Sequence, residues 1–296
     1  MLFGAIEAGG TKFVCGIGSE HGEILEKITI PTTTPDETME RVIGYFKGKH
    51  LDAIGIGSFG PVDLHKSSST YGYITSTPKP YWSQFNFLGE IQKEFPVPIG
   101  FDTDVNAAAL GEMEWGAAKD VDSCMYMTVG TGIGVGAVVN GELLHGLTHP
   151  EMGHIFIKRH EEDSFGGSCP YHKDCLEGMA SGPAIEKRWG KKGLELAGVT
   201  KVWELEAYYL AQAVANYILI ISPKKIILGG GVMKQQHLIS MVRDRVAGLL
   251  NGYLQHESIT SGQIKDYIVS PGLGENAGLC GALALAKKGC FRESII

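Results

Sequence analysis

Leu2-Phe3-Gly4-Ala5-Ile6-Glu7-Ala8-Gly9-Gly10-Thr11-Lys12-Phe13-Val14-Cys15-Gly16-Ile17-Gly18 opens as an apolar run, turns at a glycine pair and returns as a second apolar run. Residues 2–7 and 13–18 read as two strands of a hairpin around Gly9-Gly10-Thr11-Lys12. The same grammar returns at mid-chain. Cys124-Met125-Tyr126-Met127-Thr128-Val129 is a strand, Gly130-Thr131-Gly132-Ile133-Gly134 a turn, and residues 135–139 a returning strand. Strands and helices alternate behind each copy, so the chain reads as α/β with one hairpin used twice, once per half. Two such halves would be related domains facing a common cleft. Coincidence is the competing reading, because Gly-rich hairpins are common.

Outward from the first hairpin, residues 23–30 make another strand, and Pro35-Asp36-Glu37 opens a helix to about residue 47. Residues 53–57 form a short apolar strand running into Ser58-Phe59-Gly60-Pro61. The stretch to Pro98 is rich in Ser, Thr, Pro, Gly and Tyr, and a connection that long is often functional. Residues 98–101 are a strand ending at Asp102-Thr103-Asp104, and residues 105–115 carry a helical pattern. Beyond Pro150 an irregular insert bearing His and Cys runs to about residue 176. Helices are expected at 178–188 and 202–221, a buried strand at 225–228 ending in Gly229-Gly230-Gly231, a last strand at 266–270 and a helix at 275–287.

Length and composition set the class. A chain of 296 residues, 44% hydrophobic and 20% charged, can bury a large core and usually divides into two domains. Its net charge is −7 and it has no long Lys/Arg run, which excludes nucleic acid as the main partner. No stretch reaches the roughly 18 apolar residues of a membrane span, and the N-terminus lacks a signal-peptide pattern. Cys15, Cys124, Cys280 and Cys290 sit singly among apolar residues, and six cysteines in this length make no disulfide scaffold. A soluble, cytoplasmic protein is the expectation.

Gly9-Gly10-Thr11-Lys12 is not a Walker A loop, and Gly130-Thr131-Gly132-Ile133-Gly134 is not a dinucleotide fingerprint, because a strand follows each. Both turns can present backbone N–H groups to anionic oxygens, with Thr11, Thr131 and Lys12 adding hydroxyls and charge. Either turn alone is read more simply as a tight hairpin. Both together, with a third Gly cluster after a buried strand, point to phosphate. Asp104 lies where a strand ends and a helix begins, so it is either a catalytic carboxylate or the N-cap of that helix. Cys169-Pro170-Tyr171-His172-Lys173-Asp174-Cys175 spaces three ligand types by two residues each, and His154 makes a fourth, the N/S set of closed structural zinc. Two unrelated cysteines and a surface histidine are the alternative. His149 and His160 are spare candidates.

Glu7-Ala8-Gly9-Gly10-Thr11-Lys12, Gly130-Thr131-Gly132-Ile133-Gly134 and Leu228-Gly229-Gly230-Gly231 resemble the first phosphate, second phosphate and adenosine motifs of the sugar kinase/heat-shock/actin superfamily. More narrowly, nearly the whole chain resembles the ROK family of bacterial sugar kinases and its fructokinase branch. The resemblance implies two ribonuclease-H-like (actin/hexokinase-type) domains flanking an ATP/sugar cleft, with a zinc-stapled insert. Residues 1–117 would form the first domain, with a C-terminal helix at 275–296 packing back on it. Residues 118–274 would form the second and carry the insert at 154–177. ATP would be held by Gly9, Gly10, Thr11, Lys12, Gly130, Thr131, Gly132, Gly134, Pro183, Gly229, Gly230 and Gly231. Mg²⁺ would come with the nucleotide and be reached by Glu7 through water; the family usually has Asp there.

In Asp102-Thr103-Asp104-Val105-Asn106 the second aspartate resembles the family's general base, and Thr103 stands where glucokinase-type members have Asn. Pro150-Glu151-Met152-Gly153-His154 resembles the E-x-G-H motif, whose Glu and His bind sugar hydroxyls while the His also binds zinc. Glu177 matches another sugar-binding glutamate, and Gly60-Pro61 a loop over the sugar. The zinc ligands implied are His154, Cys169, His172 and Cys175, with His172 replacing a middle cysteine of the family pattern. ROK repressors carry a DNA-binding domain before the first phosphate motif, where this sequence begins. The resemblance thus implies an ATP-dependent hexose kinase, a homodimer acting on fructose. Competing readings are a mannose or glucose kinase of the same family, a nucleotide-dependent actin-like switch or assembly protein, and a zinc-stapled sugar sensor. Asp104, Glu151 and Glu177 discriminate, because a pure switch needs no base beside sugar-binding carboxylates.

Overall fold

In the computed structural model, β1 (Leu2–Ala8) and β2 (Lys12–Ser19) form the antiparallel hairpin, with Leu2 opposite Ser19 and Ala8 opposite Phe13. The structure describes residues 1–260 and 262–293. β3 (Ile24–Pro31) pairs antiparallel with β2, and β4 (Ala53–Ser58) runs parallel to β1. In the long connection β5 (Tyr73–Ile74) and β6 (Phe85–Asn86) make a small ribbon. β7 (Ile99–Thr103) runs parallel to β4 and completes a sheet of order β3-β2-β1-β4-β7.

The period-2 alternation of β1 decides what covers each face of this sheet. Phe3 and Ala5 pack on Leu279, Ala282, Leu283 and Ala286 of the helix Ala277–Glu293. Ile6 and Ala8 belong to the opposite cluster, with Phe13, Trp82, Phe87 and Phe101. The Ser/Thr/Pro-rich connection is therefore part of the core, although its composition reads as loop. Trp82 is fully buried and its indole N–H donates to the Thr33 carbonyl at 2.8 Å. Burying each such ring contributes about 1.5–3 kcal/mol. On the other face the helix comes very close, since a Cβ on Gly55 would lie 1.7 Å from the Ala282 carbonyl oxygen.

The second hairpin opens a second sheet. β8 (Cys124–Val129), β9 (Ile133–Val139), β10 (Glu142–Leu143), β11 (Lys225–Gly229) and β12 (Ile268–Val269) stand in the order β10-β9-β8-β11-β12. β8, β11 and β12 are parallel. The two sheets thus share one plan: an edge strand, a hairpin, then two parallel strands.

Two local readings change. Residues 178–188 are not one helix but two, Leu176–Ala180 and Gly182–Trp189. Ser181 breaks them, because its hydroxyl accepts the Ala184 N–H at 3.3 Å and Pro183 brings no N–H to the new first turn. Residues 266–270 are not one strand: Ile264–Tyr267 is a helical turn and only Ile268–Val269 pairs. Tyr267 is buried there and its hydroxyl donates to the Pro223 carbonyl at 2.9 Å.

The chain divides into two compact units. One comprises Met1–Asp120, Gly136–Pro150 and the segment from Gly272 on; the other comprises Val121–Val135 and Glu151–Pro271. Among the described residues no helix is long and apolar enough to cross a membrane.

Candidate active site

In the first unit, β7 ends on Thr103 and the helix Asp104–Trp115 starts at the next residue. Thr103, with an extended backbone at φ −67° and ψ 155°, is the N-cap, and its Oγ1 accepts the Asn106 N–H at 3.1 Å. This corrects the capping alternative for Asp104. Asp104 is half-buried in the first helical turn, where the helix dipole favours a carboxylate, and its Oδ1 accepts the Val105 N–H at 2.9 Å. Asp102 is buried and used up in structure. Its Oδ1 accepts from the Thr103 N–H at 2.8 Å and from the Asn106 side-chain amide at 2.7 Å, while Oδ2 lies 2.8 Å from His145 Nε2. That carboxylate raises His145 above the ordinary imidazole range. Asn106 in turn accepts the Ala137 N–H at 3.1 Å.

The Gly9–Lys12 turn is closed by the Gly9 N–H donating to the Lys12 carbonyl at 3.0 Å, and Thr32 steadies it through the Gly9 and Thr11 carbonyls. Thr11 and Lys12 are exposed, and a Cβ on Gly10 would meet nothing within 4 Å, so the tip is open to a ligand. Glu7 points to the helix side of β1, where its carboxyl fills the space beside Gly278. Burial raises its pKa, and Lys12 and Lys27 pull it back. The Gly60-Pro61 peptide is cis, and the Pro61 carbonyl accepts from the backbone and side chain of Thr75 at 2.8 and 3.0 Å.

In the second unit, the turn after β8 is closed by the Gly130 N–H donating to the Gly132 carbonyl at 2.9 Å. The Gly182 N–H donates to the Gly130 carbonyl at 2.8 Å, which brings Pro183 and its helix start to this turn. Gly229-Gly230-Gly231 follows β11, and Gly230, at φ +93°, would set a Cβ 2.4 Å from the Val129 carbonyl oxygen. These three segments therefore meet at the carboxyl ends of parallel strands, where α/β folds bind ligands.

Glu177 joins that turn to the insert. Its Oε2 accepts the Ile133 N–H at 3.0 Å, and a Cβ on Gly132 would lie 2.6 Å from the same oxygen. Its Oε1 is 4.0 Å from His154 Nε2. Glu151 is near enough that burial, and then the Glu177 charge, push its carboxyl up to about 7.

The ligand atoms of His154, Cys169, His172 and Cys175 all lie within 4.8 Å of one another. His154 Nδ1 is 3.4 Å from Cys175 Sγ and 3.7 Å from Cys169 Sγ, which is 3.8 Å from His172 Nδ1. Bonds of about 2.0 and 2.3 Å at tetrahedral angles put N and S about 3.5 Å apart, so the set fits one tetrahedral metal ion. Burial pushes the Cys175 thiol up to about 12, so a thiolate there needs a cation beside it. With Nδ1 toward the metal position, His154 turns Nε2 to Glu177. His160 and His149 stand outside this cluster.

Sequence reasoning missed His145 and Asn106. Asn106 was reachable, four residues after Asp102 at a strand–helix junction, whereas His145 is 43 residues from its partner.

A model of the ROK family matches residues 3–289. A relative from Bacillus subtilis (strain 168) is 58% identical over 293 residues, covering 99% of this chain and 98% of its own. A fructokinase from Pediococcus pentosaceus is 50% identical over 287 residues, covering 97% and 98%. The crystal structure of a ROK hexokinase from Thermus thermophilus superposes with a TM-score of 0.80 at 26% identity, over 100% of this chain and 99% of that one. Likeness of this extent, over the same residues that carry the turns, the Asp102–Asp104 junction and the Cys/His cluster, means that the chain belongs to the ROK family.

Proposed function

We propose that this protein is an ATP-dependent fructokinase, converting ATP and fructose to ADP and fructose 6-phosphate. The observation that carries the reading is its near-full-length likeness to the Pediococcus fructokinase, 50% identical. Phosphoryl transfer needs in-line positioning, charge neutralisation and a carboxylate for the hydroxyl proton. Asp104 Oδ takes that proton, and Asp102, locked by its three partners, fixes the turn that presents Asp104. Glu151, His154, Glu177, Gly60, Pro61 and Thr103 hold the sugar, whose vicinal hydroxyls suit carboxylate acceptors.

Gly9, Gly10, Thr11, Lys12, Gly130, Thr131, Gly132, Gly134, Pro183 and Gly229-Gly230-Gly231 serve ATP through backbone N–H groups, hydroxyls and the Lys12 charge. Mg²⁺, arriving with ATP, supplies charge neutralisation at the phosphates. Glu7 suits a water-mediated contact with it, since a buried carboxyl with a raised pKa gains from a nearby dication. His154, Cys169, His172 and Cys175 hold structural Zn²⁺. The chain carries two ribonuclease-H-like domains, residues 1–117 with the C-terminal helix and residues 118–274, and the working protein is a cytoplasmic homodimer. ATP and fructose should yield ADP and fructose 6-phosphate in equal amounts; a product phosphorylated at another hydroxyl would contradict the proposal.

Glu151 gives this reading a pH signature. With its carboxyl at about 7, it is largely neutral below that pH and ionised above it. The ionised form is the better acceptor for sugar hydroxyls, so KM for fructose should fall as pH rises from about 6 to about 8. Glu151→Gln should lose that dependence and about tenfold in kcat/KM. A wild-type KM that stays flat across this range would contradict the role.

A further inference from the structure

His149, a spare histidine of the zinc reading, has other work. It is only 6% exposed, and its Nε2 accepts the Val62 N–H at 3.0 Å. A ring nitrogen that accepts carries no proton, so the imidazole is neutral, with its proton on Nδ1. Burial holds its pKa below the ordinary range, against the opposing pull of Asp102 and of a backbone hydrogen bond at Pro150. Val62 is itself 4% exposed, so its N–H has no easy recourse to water. A buried donor left without an acceptor is costly, and the loop would move to recover one.

The residues held this way are the continuation of Gly60-Pro61. A Cβ on Gly60 would stand 3.3 Å from the Val62 nitrogen and 3.5 Å from His149 Cε1, so ring and loop are in close register. Thr75 grips the Pro61 carbonyl with two hydrogen bonds. A second tie, His65 Nε2 to the Leu147 carbonyl, joins the same two segments. Residues 147–149 therefore clamp the loop directly ahead of Glu151 in sequence.

We infer that His149 is a positioning residue for the sugar: through the Val62 N–H it holds Gly60-Pro61 in the conformation that meets the hexose. The inference rests on the proposed sugar contact of that loop. His149→Gln places an amide oxygen close to the position of Nε2, whereas the amide of His149→Asn reaches only as far as Nδ1, and His149→Ala offers nothing. KM for fructose should rise about tenfold in the Ala and Asn variants, with kcat within about twofold and KM for ATP unchanged, and Gln should recover most of the loss. If His149→Ala does not fold, the Gln–Asn comparison decides. Thermal stability is measured on every variant. A fructose KM at the wild-type value in the Asn variant, a Gln variant no better than Asn, or losses in all constants that simply follow stability would each overturn the inference. Gly60→Ala separates it from the reading beneath it. If that variant raises KM for fructose while the His149 variants do not, His149 is not the positioning residue and the loop contact stands. If none of them moves KM, the loop contact falls and the inference falls with it.

Discussion

Asp104→Asn should lower kcat by about 10²- to 10⁴-fold, the usual effect of losing a general base. The variant should stay folded, for reasons visible at the junction. Thr103, not Asp104, supplies the cap, so the substitution leaves the Asn106 N–H satisfied. The amide oxygen of Asn can still accept from the Val105 N–H. What the helix loses is one negative charge in its first turn, worth about 0.3–1 kcal/mol. Fructose and ATP should bind nearly as before. A variant that turns over at the normal rate, or one that unfolds, would show that Asp104 is structural.

Removing the metal should have the next largest effect. One zinc per chain is expected by elemental analysis of protein purified without chelator. Structural zinc contributes about 10–16 kcal/mol to folding its peptide in zinc fingers. Around the ligands the chain is closed by isolated bridges at Phe156–Cys175 and Cys169–Lys173 and by the Leu176 N–H donating to the Ile155 carbonyl at 3.0 Å, whereas residues 158–163 are tied separately, through Gln212, Tyr209 and the buried Asp163–Arg188 ion pair. Chelation, or Cys175→Ser, should therefore disorder the segments that carry the ligands, residues 154–157 and 169–175, and free His154 and Glu177, abolishing fructose binding. Nucleotide affinity should change by no more than about tenfold, since Glu177 contributes one hydrogen bond to the second turn. Zinc-free protein as purified, or chelated protein that still binds fructose, would contradict the metal's role.

How far the sequence carries depends on the distance between partners. Both hairpins were legible, because strand alternation and Gly-rich tips are local, and the metal set was legible because three of its ligands lie within seven residues. The cap was not. Asp102, Thr103 and Asp104 are all good caps, and only the backbone conformation at Thr103 selects among them. Trp82 and Phe87 were lost in a stretch whose composition reads as loop, yet they complete a core face. Glu112 shows the limit best. It is fully buried in the helix Asp104–Trp115, accepting the backbone N–H groups of Ala117, Gly272 and Leu273 at 2.7, 2.9 and 3.0 Å. Two of those donors are about 160 residues away, where no spacing rule reaches. His149 and Val62, 87 residues apart, are hidden for the same reason.

Selectivity for fructose makes a steric demand. A ketose pocket must admit the anomeric hydroxymethyl group that aldohexoses lack. Ser58-Phe59-Gly60-Pro61-Val62-Asp63, Thr77-Pro78-Lys79-Pro80 and His149-Pro150-Glu151-Met152-Gly153-His154 resemble fructokinases rather than glucokinases. Thr103 replaces the glucokinase-type Asn and spends its hydroxyl oxygen on the helix cap. Apolar fit alone discriminates by about 10- to 200-fold, whereas buried hydrogen-bonding groups left unpaired reject an analogue by about 10⁴-fold or more. Preference should thus follow how well Glu151, His154 and Glu177 find hydroxyl partners on the furanose ring. The direct test is kcat/KM for fructose, mannose and glucose at saturating Mg-ATP. Fructose should give the highest value, mannose the next and glucose the lowest; a glucose value equal to or above that of fructose would contradict the account.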